Sequence, residues 1–317
     1  MKDYILSIDA GTTGLTTIVI DKKLRIIKKC YSEINQYFPK KEWVEHNPSE
    51  LINKINKHLA KIDKTISLSK IKSIGITNQR ETVVVWNKKT GIPVYNAIVW
   101  QDRRTKNICK KLKQNNKDKT IYDKTGLMLD SYFSATKIQW IIKNIKNINK
   151  KEILAGTIDT WIIWNLTNKK HYTDHTNASR TMLYNINSKK WDSTLLDLFK
   201  IPKSILPEIK NSIDNFGTLK HNNYKIPIYG VAGDQQAALF GQGGIKKGSG
   251  KCTYGTGLFY LQNIGNNRLK SRNNLINTIA INENGKPIYA IEGSVFIGGA
   301  IIQWIRDELG IINNASE

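Results

Sequence analysis

Two short glycine–threonine turns, each placed after a strand pattern, constrain this chain more than any other feature. Asp9-Ala10-Gly11-Thr12-Thr13-Gly14 joins residues 4–9, where apolar side chains alternate, to the β-branched run 16–20. Tyr254-Gly255-Thr256-Gly257 follows a second strand-rich stretch. Glycines in such turns let backbone N–H groups approach a phosphate, and the threonines add hydroxyl donors. A carboxylate at the strand end, Asp9, suits Mg2+ held through water. Either turn alone also reads as a plain hairpin. Two of them, one opening each of two units, suit a nucleotide clamped from opposite sides.

The pattern between the turns alternates strands with helices. Asn47-Pro48-Ser49-Glu50 is a helix start, with a cap, a proline at the first helical position and an early acid. Leu51, Ile55, Leu59 and Ile62 give that helix one apolar face. Strands are expected at 24–31, 74–77 and 82–86, and helices around 103–112 and 135–145. Residues 152–159 read as a buried strand before a short helix at 160–166. Residues 226–232 read as another, before a helix at 234–240. Five glycines then fall within Gly241–Gly250, and a domain edge is expected there, giving units 1–243 and 244–317. Beyond it, 252–263 and 277–290 are strand-rich, with an Asn284-Gly285 hairpin turn, and 296–309 reads as a helix. Strands mixed with crossover helices place the chain in the α/β class with a sheet core. The unit after Gly250 holds 67 residues and reads as the opening of a second domain.

Composition closes off several classes. With 49 Lys+Arg against 26 Asp+Glu the formal charge is +23, but 40% of residues are hydrophobic, too many for a disordered chain. Lysines far outnumber arginines and are spread along the whole chain among Asn and Ile. This pattern reads as tolerant surface, whereas a nucleic-acid binder concentrates Arg and Lys on one stripe. No stretch is long and apolar enough to span a membrane. The chain starts with no signal-peptide pattern, because Asp3 and Asp9 come too early. Cys30, Cys109 and Cys252 are odd in number and far apart, which favours a reduced, cytoplasmic setting.

Several further clusters carry chemistry. Gly233-Asp234-Gln235-Gln236 puts a carboxylate between a buried strand and a helix, where it serves either as a helix cap or as a general base. Arg80-Glu81 sits at a strand junction and is either an exposed ion pair or a donor–acceptor grip on a polyol. Trp100, Tyr132 and Phe259 are either core aromatics or walls against the C–H face of a small hydroxylated ligand.

Ordered motifs then resemble one known family. They are Gly75-Ile76-Thr77-Asn78-Gln79-Arg80-Glu81-Thr82, Tyr95-Asn96-Ala97-Ile98-Val99-Trp100-Gln101, residues 173–183 (Thr-Asp-His-Thr-Asn-Ala-Ser-Arg-Thr-Met-Leu) and residues 232–242, with Lys137 and Trp140 inside 132–144. Together they look like the FGGY carbohydrate kinases, and within them the members that phosphorylate glycerol. The resemblance runs from about Tyr4 to Ile312. It implies an actin-like ATPase (ribonuclease H-like) fold with a cleft between two domains, and ATP with Mg2+ as cofactors. By the same resemblance Arg80, Glu81, Tyr132, Asp234 and Gln235 match substrate ligands. Trp100 and Phe259 match aromatic walls, and Asp234 matches the catalytic base. Thr12, Thr13, Gly14, Thr256, Gly299 and Gln303 match nucleotide-contacting positions, and Asp9 matches the magnesium-linked carboxylate.

This sequence departs from the pattern at Ala10, at Gly14-Leu15-Thr16 and at Ser131, where members usually carry Gln, Ser-Ser-Arg and Pro. Family members also continue past position 317, so the expectation is a complete first domain with a truncated second one. By this resemblance the leading reading is a sequence for ATP-dependent phosphorylation of glycerol, with glycerol and ATP as partners, and little or no turnover is expected from residues 1–317 alone. The alternatives are a non-catalytic remnant or split subunit needing a separate C-terminal half or a second copy, a kinase for another polyol or sugar, and a basic nucleic-acid-binding module.

Overall fold

A computed structural model describes residues 3–146, 149–255, 257–269, 275–295 and 297–315. Thr256 and Phe296 lie outside the described residues.

The first strand, Tyr4–Ala10, alternates as its sequence requires, with Leu6, Ile8 and Ala10 fully buried. It is the heart of a six-stranded sheet. Gly14–Ile20 and then Ile26–Glu33 pair antiparallel on one side of it. Ile71–Asn78 and then Tyr224–Gly233 follow in parallel on the other, and Thr218–His221 closes that edge. The helix Pro48–Ile66 starts where its cap signals place it, because the Asn47 carboxamide oxygen accepts from the backbone N–H of Ser49 and Glu50. Its buried Leu51, Ile55, Leu59 and Ile62 join the sheet core together with Trp161 and Ile162 of the helix Ile158–Leu166. That helix begins two residues earlier than the sequence suggested. The preceding strand, Ile153–Thr157, stops at Thr157, so Ile158 and Asp159 are helical.

The three parallel strands end side by side. Asp9 pairs with Thr77, Ala10 with Asn78, and Gly233 with Asn78. Ligands of open α/β sheets bind at the carboxyl ends of such strands. Here those ends deliver Asp9, Gln79-Arg80-Glu81 and Asp234 to one place.

A smaller four-stranded sheet, running Glu45–His46, Ala97–Ile98, Val83–Asn87 and Ile153–Thr157, sits beside this one. It leads directly into Trp100. After Gly250 the chain forms a separate antiparallel sheet, in the order Gly250–Tyr254, Leu258–Gly265, Pro287–Val295, Ile276–Ile281. Gly285, at φ +75°, makes the hairpin turn that Asn284-Gly285 predicted. The helix Gly299–Asp307 follows.

The antiparallel sheet is docked on the N-terminal part through apolar contacts, such as Tyr184 and Ile186 with Ile279 and Tyr289, and through polar bonds. Gln236 donates to Thr278 Oγ1 and to the Ile279 carbonyl, and the Asn277 N–H donates to the Gly126 carbonyl at 3.0 Å. Gly126 has φ +76°, and a Cβ there would meet Asn277 Cβ and its carbonyl oxygen at 2.7 and 2.8 Å. Gly126→Ala is expected to cost about 1–2 kcal/mol for the left-handed backbone alone, and more for the clash. Urea unfolding of the two proteins measures this, and an unchanged midpoint contradicts it.

Candidate active site

One cavity of about 380 Å³ opens at the strand ends. It is lined by Thr12, Thr13, Arg80, Glu81, Trp100, Tyr132, Asp234, Gln235, Phe259 and Gln303, together with Gln36, Gln79, Gln101, Thr253, Gly255 and Gly257. Ten of the residues singled out from sequence thus converge in one place. Three others stand back from it. Asp9 lies one residue before the end of its strand, and Gly14 accepts from Gly11 N–H at 3.0 Å and closes the turn. Gly299 lines an adjoining hollow of about 630 Å³ with Tyr254, Gly298 and Gln303.

The first turn is held from both sides. The Gln79 side chain donates to the Gly11 carbonyl at 3.0 Å, and the Ile34 N–H donates to the Thr13 carbonyl at 2.9 Å. Trp100 Nε1 donates to Thr12 Oγ1 at 2.8 Å, which fixes the indole plane against the cavity. Tyr132 and Phe259 meet Trp100 edge-on, with centroids 5.6 and 6.3 Å away, so three aromatic rings form one wall. The loop carrying Tyr132 is clamped by Lys137, whose buried ammonium donates to the carbonyls of Ser131, Tyr132 and Phe133. Burial pulls that ammonium down to about 8.

The opposite wall is charged. Arg80 donates through both terminal nitrogens to Glu292, at 2.6 and 3.1 Å, while its Nε lies 3.3 Å from Asp234 Oδ1. Arg180 donates to Glu81 at 2.6 Å and to Glu292 at 2.9 Å. Burial would raise the Glu292 carboxyl, but Arg180 and Arg80 outweigh it and hold the group at about 2. Glu81 goes the other way. Burial lifts it above the usual carboxylate range against the pull of Arg80 and Arg180. Glu81 also has φ 60°, a conformation that costs a non-glycine residue about 1–3 kcal/mol.

Asp234 opens the helix Asp234–Gly241 as the sequence suggested. Its Oδ1 accepts from the Gln235 N–H at 2.7 Å, yet its side chain remains 37% exposed toward the cavity. The segment is braced from behind, because the Gly233 N–H donates to Thr176 Oγ1, which in turn donates to the buried Asp174. Gln235 is fixed by Lys251, which also donates to Thr253 Oγ1. Burial lowers the Lys251 ammonium below its ordinary range.

The sequence reading gave no role to Glu292, Arg180 or Lys251. Glu292 was readable in one respect: it shares a strand face with Ile288 and Ala290, and a carboxylate among buried apolar positions requires a partner. Arg180 lies inside a quoted motif, but nothing in the sequence pairs it with a glutamate 112 residues away.

The profile of the FGGY family of carbohydrate kinases, N-terminal domain, matches residues 4–241. The chain belongs to this family. Among similar proteins is the glycerol kinase of Clostridium botulinum, 52% identical over 327 residues, covering 100% of this chain and 66% of that protein. The glycerol kinase of Brachyspira hyodysenteriae is 50% identical with the same coverage. The chain thus spans 66% of the length of the curated relatives it matches. Among solved structures, Plasmodium falciparum glycerol kinase with ADP superimposes with a TM-score of 0.92 at 40% identity, covering 99% of this chain and 65% of that one. A xylulose kinase from Lactobacillus acidophilus, at 22% identity and TM-score 0.86, covers 96% and 62% and shares the fold.

Asp9 is pushed up to about 6, first by burial and then by the Asp234 carboxylate. A raised acid destabilises the fold once ionised. Its contribution is intact below the unfolded value of 3.8 and is lost as pH rises through about 6. In metal-free buffer, Asp9→Asn is therefore expected to gain stability at pH 7.5, by at most about 3 kcal/mol, and far less at pH 4.5. Denaturant midpoints at the two pH values check it, and an equal gain at both contradicts it.

Proposed function

We propose that this chain is the polyol-binding and phosphate-facing part of an ATP-dependent kinase that converts glycerol to sn-glycerol 3-phosphate. The carrying observation is the make-up of the cavity. A half-exposed carboxylate, Asp234, stands between a buried arginine and a wall of three aromatic rings. A small triol offers what such a site needs, hydroxyls for Arg80, Glu81, Asp234 and Gln235 and a C–H edge for Trp100 and Phe259. The glycerol kinases described above support glycerol over larger sugars.

In this reading residues 1–243 and 244–317 are two lobes, and the cleft between them is the site. Asp234 takes the proton of a terminal hydroxyl while that oxygen bonds to the γ-phosphorus of ATP and the bond to the bridging oxygen of ADP breaks. Thr12, Thr13 and Gly14 on one side, with Gly299 and Gln303 on the other, face the phosphates through N–H and hydroxyl donors. A cytoplasmic setting accords with the three free cysteines.

Mg2+ fits the residues present. Burial and the Asp234 carboxylate raise the cost of ionising Asp9, which a nearby cation relieves. Among the described residues no three acidic, His or Cys side chains gather, so the ion's other ligands are water and phosphate oxygens. When bound, the ion offsets charge on the transferred group. Asp9 would hold it through water.

Glycerol is expected to bind by calorimetry, with xylulose and gluconate far weaker. A stronger signal from either of these sugars redirects the substrate. With the C-terminal part of the kinase supplied, Asp234→Asn is expected to keep glycerol affinity within about threefold while lowering ATP-dependent glycerol 3-phosphate formation by about 10²–10⁴-fold. Unchanged turnover in that variant removes Asp234 as the base. Mg2+ is expected to raise the melting temperature of the wild type and not that of Asp9→Asn.

A further inference from the structure

The Arg80 guanidinium is held at every nitrogen but one. Its terminal nitrogens go to Glu292 Oε2 and Oε1, and one of them also reaches Gln236 Oε1 at 3.3 Å. Its stem is fixed too, since a Cβ on Gly233 would lie 2.7 and 2.8 Å from Arg80 Cγ and Cδ. Glycine at 233 is what lets the stem lie against the strand end. Only the Nε edge is turned to Asp234 Oδ1 (3.3 Å) and Glu81 Oε1 (3.8 Å). Glu292 itself is fully buried, accepts from Arg180 as well, and takes a third donor, Ser294 Oγ, at 3.2 Å. It stands on the Pro287–Val295 strand of the antiparallel sheet, whereas both arginines come from the N-terminal part.

An arginine fork with free terminal nitrogens seeks a carboxylate in bidentate geometry. Asp234 is the nearest one outside the Arg80–Glu292–Arg180–Glu81 group. Chelated in that way, its oxygens are occupied and no hydroxyl reaches them. Glu292 prevents this by taking the fork from the opposite side. Resting on the reading of the site given above, we infer that Glu292 is the positioning residue for substrate recognition: from the antiparallel sheet it holds the Arg80 fork, so that Arg80 meets a polyol through its Nε edge and Asp234 stays open. The residue touches neither substrate nor phosphate. It acts through Arg80.

The test is discrimination between hydroxyl patterns. Wild type, Glu292→Gln and Glu292→Asp are titrated with glycerol, propane-1,2-diol and propane-1,3-diol. In the wild type each missing hydroxyl costs at least about tenfold in affinity, because a buried polar group loses its partner. In Glu292→Gln, the glycerol-to-diol ratio for one of the diols collapses toward one. Glu292→Asp keeps the charge and the fold but lacks the reach for both Arg80 nitrogens, and its ratio falls between. In an Arg80→Ala background, Glu292→Gln causes no further loss of discrimination, since coupled residues are non-additive. A general weakening of the structure moves affinity for all three ligands alike and leaves the ratio intact. That outcome, or wild-type ratios in both variants, overturns the inference. Arginine side-chain ¹⁵N spectra give a readout free of ligand. A slowly exchanging Arg80 Nε–H in the wild type, lost in both variants, supports the inference even if no polyol binds, in which case only the substrate assignment fails. The same signal retained in the variants overturns it.

Discussion

Arg80, Glu292, Arg180 and Glu81 form a buried, charge-balanced quartet, and the rest of the site depends on it. Each is at most 3% exposed. Removing an ion from water costs several kcal/mol even after relaxation, so such a group is tolerable only when every charge finds its partner in good geometry. That condition makes it a strict specifier of structure. The quartet forms only if three separate pieces of chain arrive together: the end of the Ile71–Asn78 strand, the turn after His175–Ala178, and the Pro287–Val295 strand. The quartet adds to the apolar clusters at this junction a directional constraint on how the antiparallel sheet sits against its neighbour.

Beneath the quartet lies a second polar layer that fixes the backbone. Asn78 donates to Asn177 Oδ1 at 3.0 Å, Asn177 and Ser212 donate to Asp174, and Thr176 links Asp174 to the Gly233 N–H. Asp159 accepts from Thr157 and Thr173 nearby, and burial followed by the Asp174 charge pushes it up to about 7. This layer spans the ends of two neighbouring parallel strands. Glu81 persists at a positive φ because its neighbours are tied down, Arg80 by Glu292 and Thr82 by its bond to Gln79 Oε1 at 2.8 Å.

Much of the first half of the fold was legible because periodicity and caps agree there. The alternation in Tyr4–Ala10, the Asn47 cap and the apolar stripe on Pro48–Ile66 are local signals with local causes. The Asp234 helix start and the Asn284-Gly285 turn belong to the same kind. Short strands such as Glu45–His46 and Thr218–His221, and the helix Asp118–Thr125, were missed. They are defined by what they pair with, and a two-residue strand carries no period. The candidate site divides in the same way. Residues beside glycine turns or strand ends, such as Thr12, Arg80 and Asp234, announce themselves in sequence and line one cavity. Glu292 and Lys251 do not, because their meaning lies in partners on other segments.

Exposure separates the buried charges of the site from the one carboxylate that is open to its cavity. The side chain of Arg80 is 2% exposed and that of Glu292 0%, whereas that of Asp234 is 37% exposed. A charge that only orients is best buried, since a fixed dipole or ion in a low-dielectric setting needs no rearrangement when it acts. A group that gives and takes a proton needs an open path and a free lone pair. Asp234 is open to the cavity, and Arg80 meets it only through Nε, at 3.3 Å, because Glu292 holds both terminal nitrogens. On the inference drawn above, the accessibility of the one carboxylate depends on the other, which stands on a different sheet.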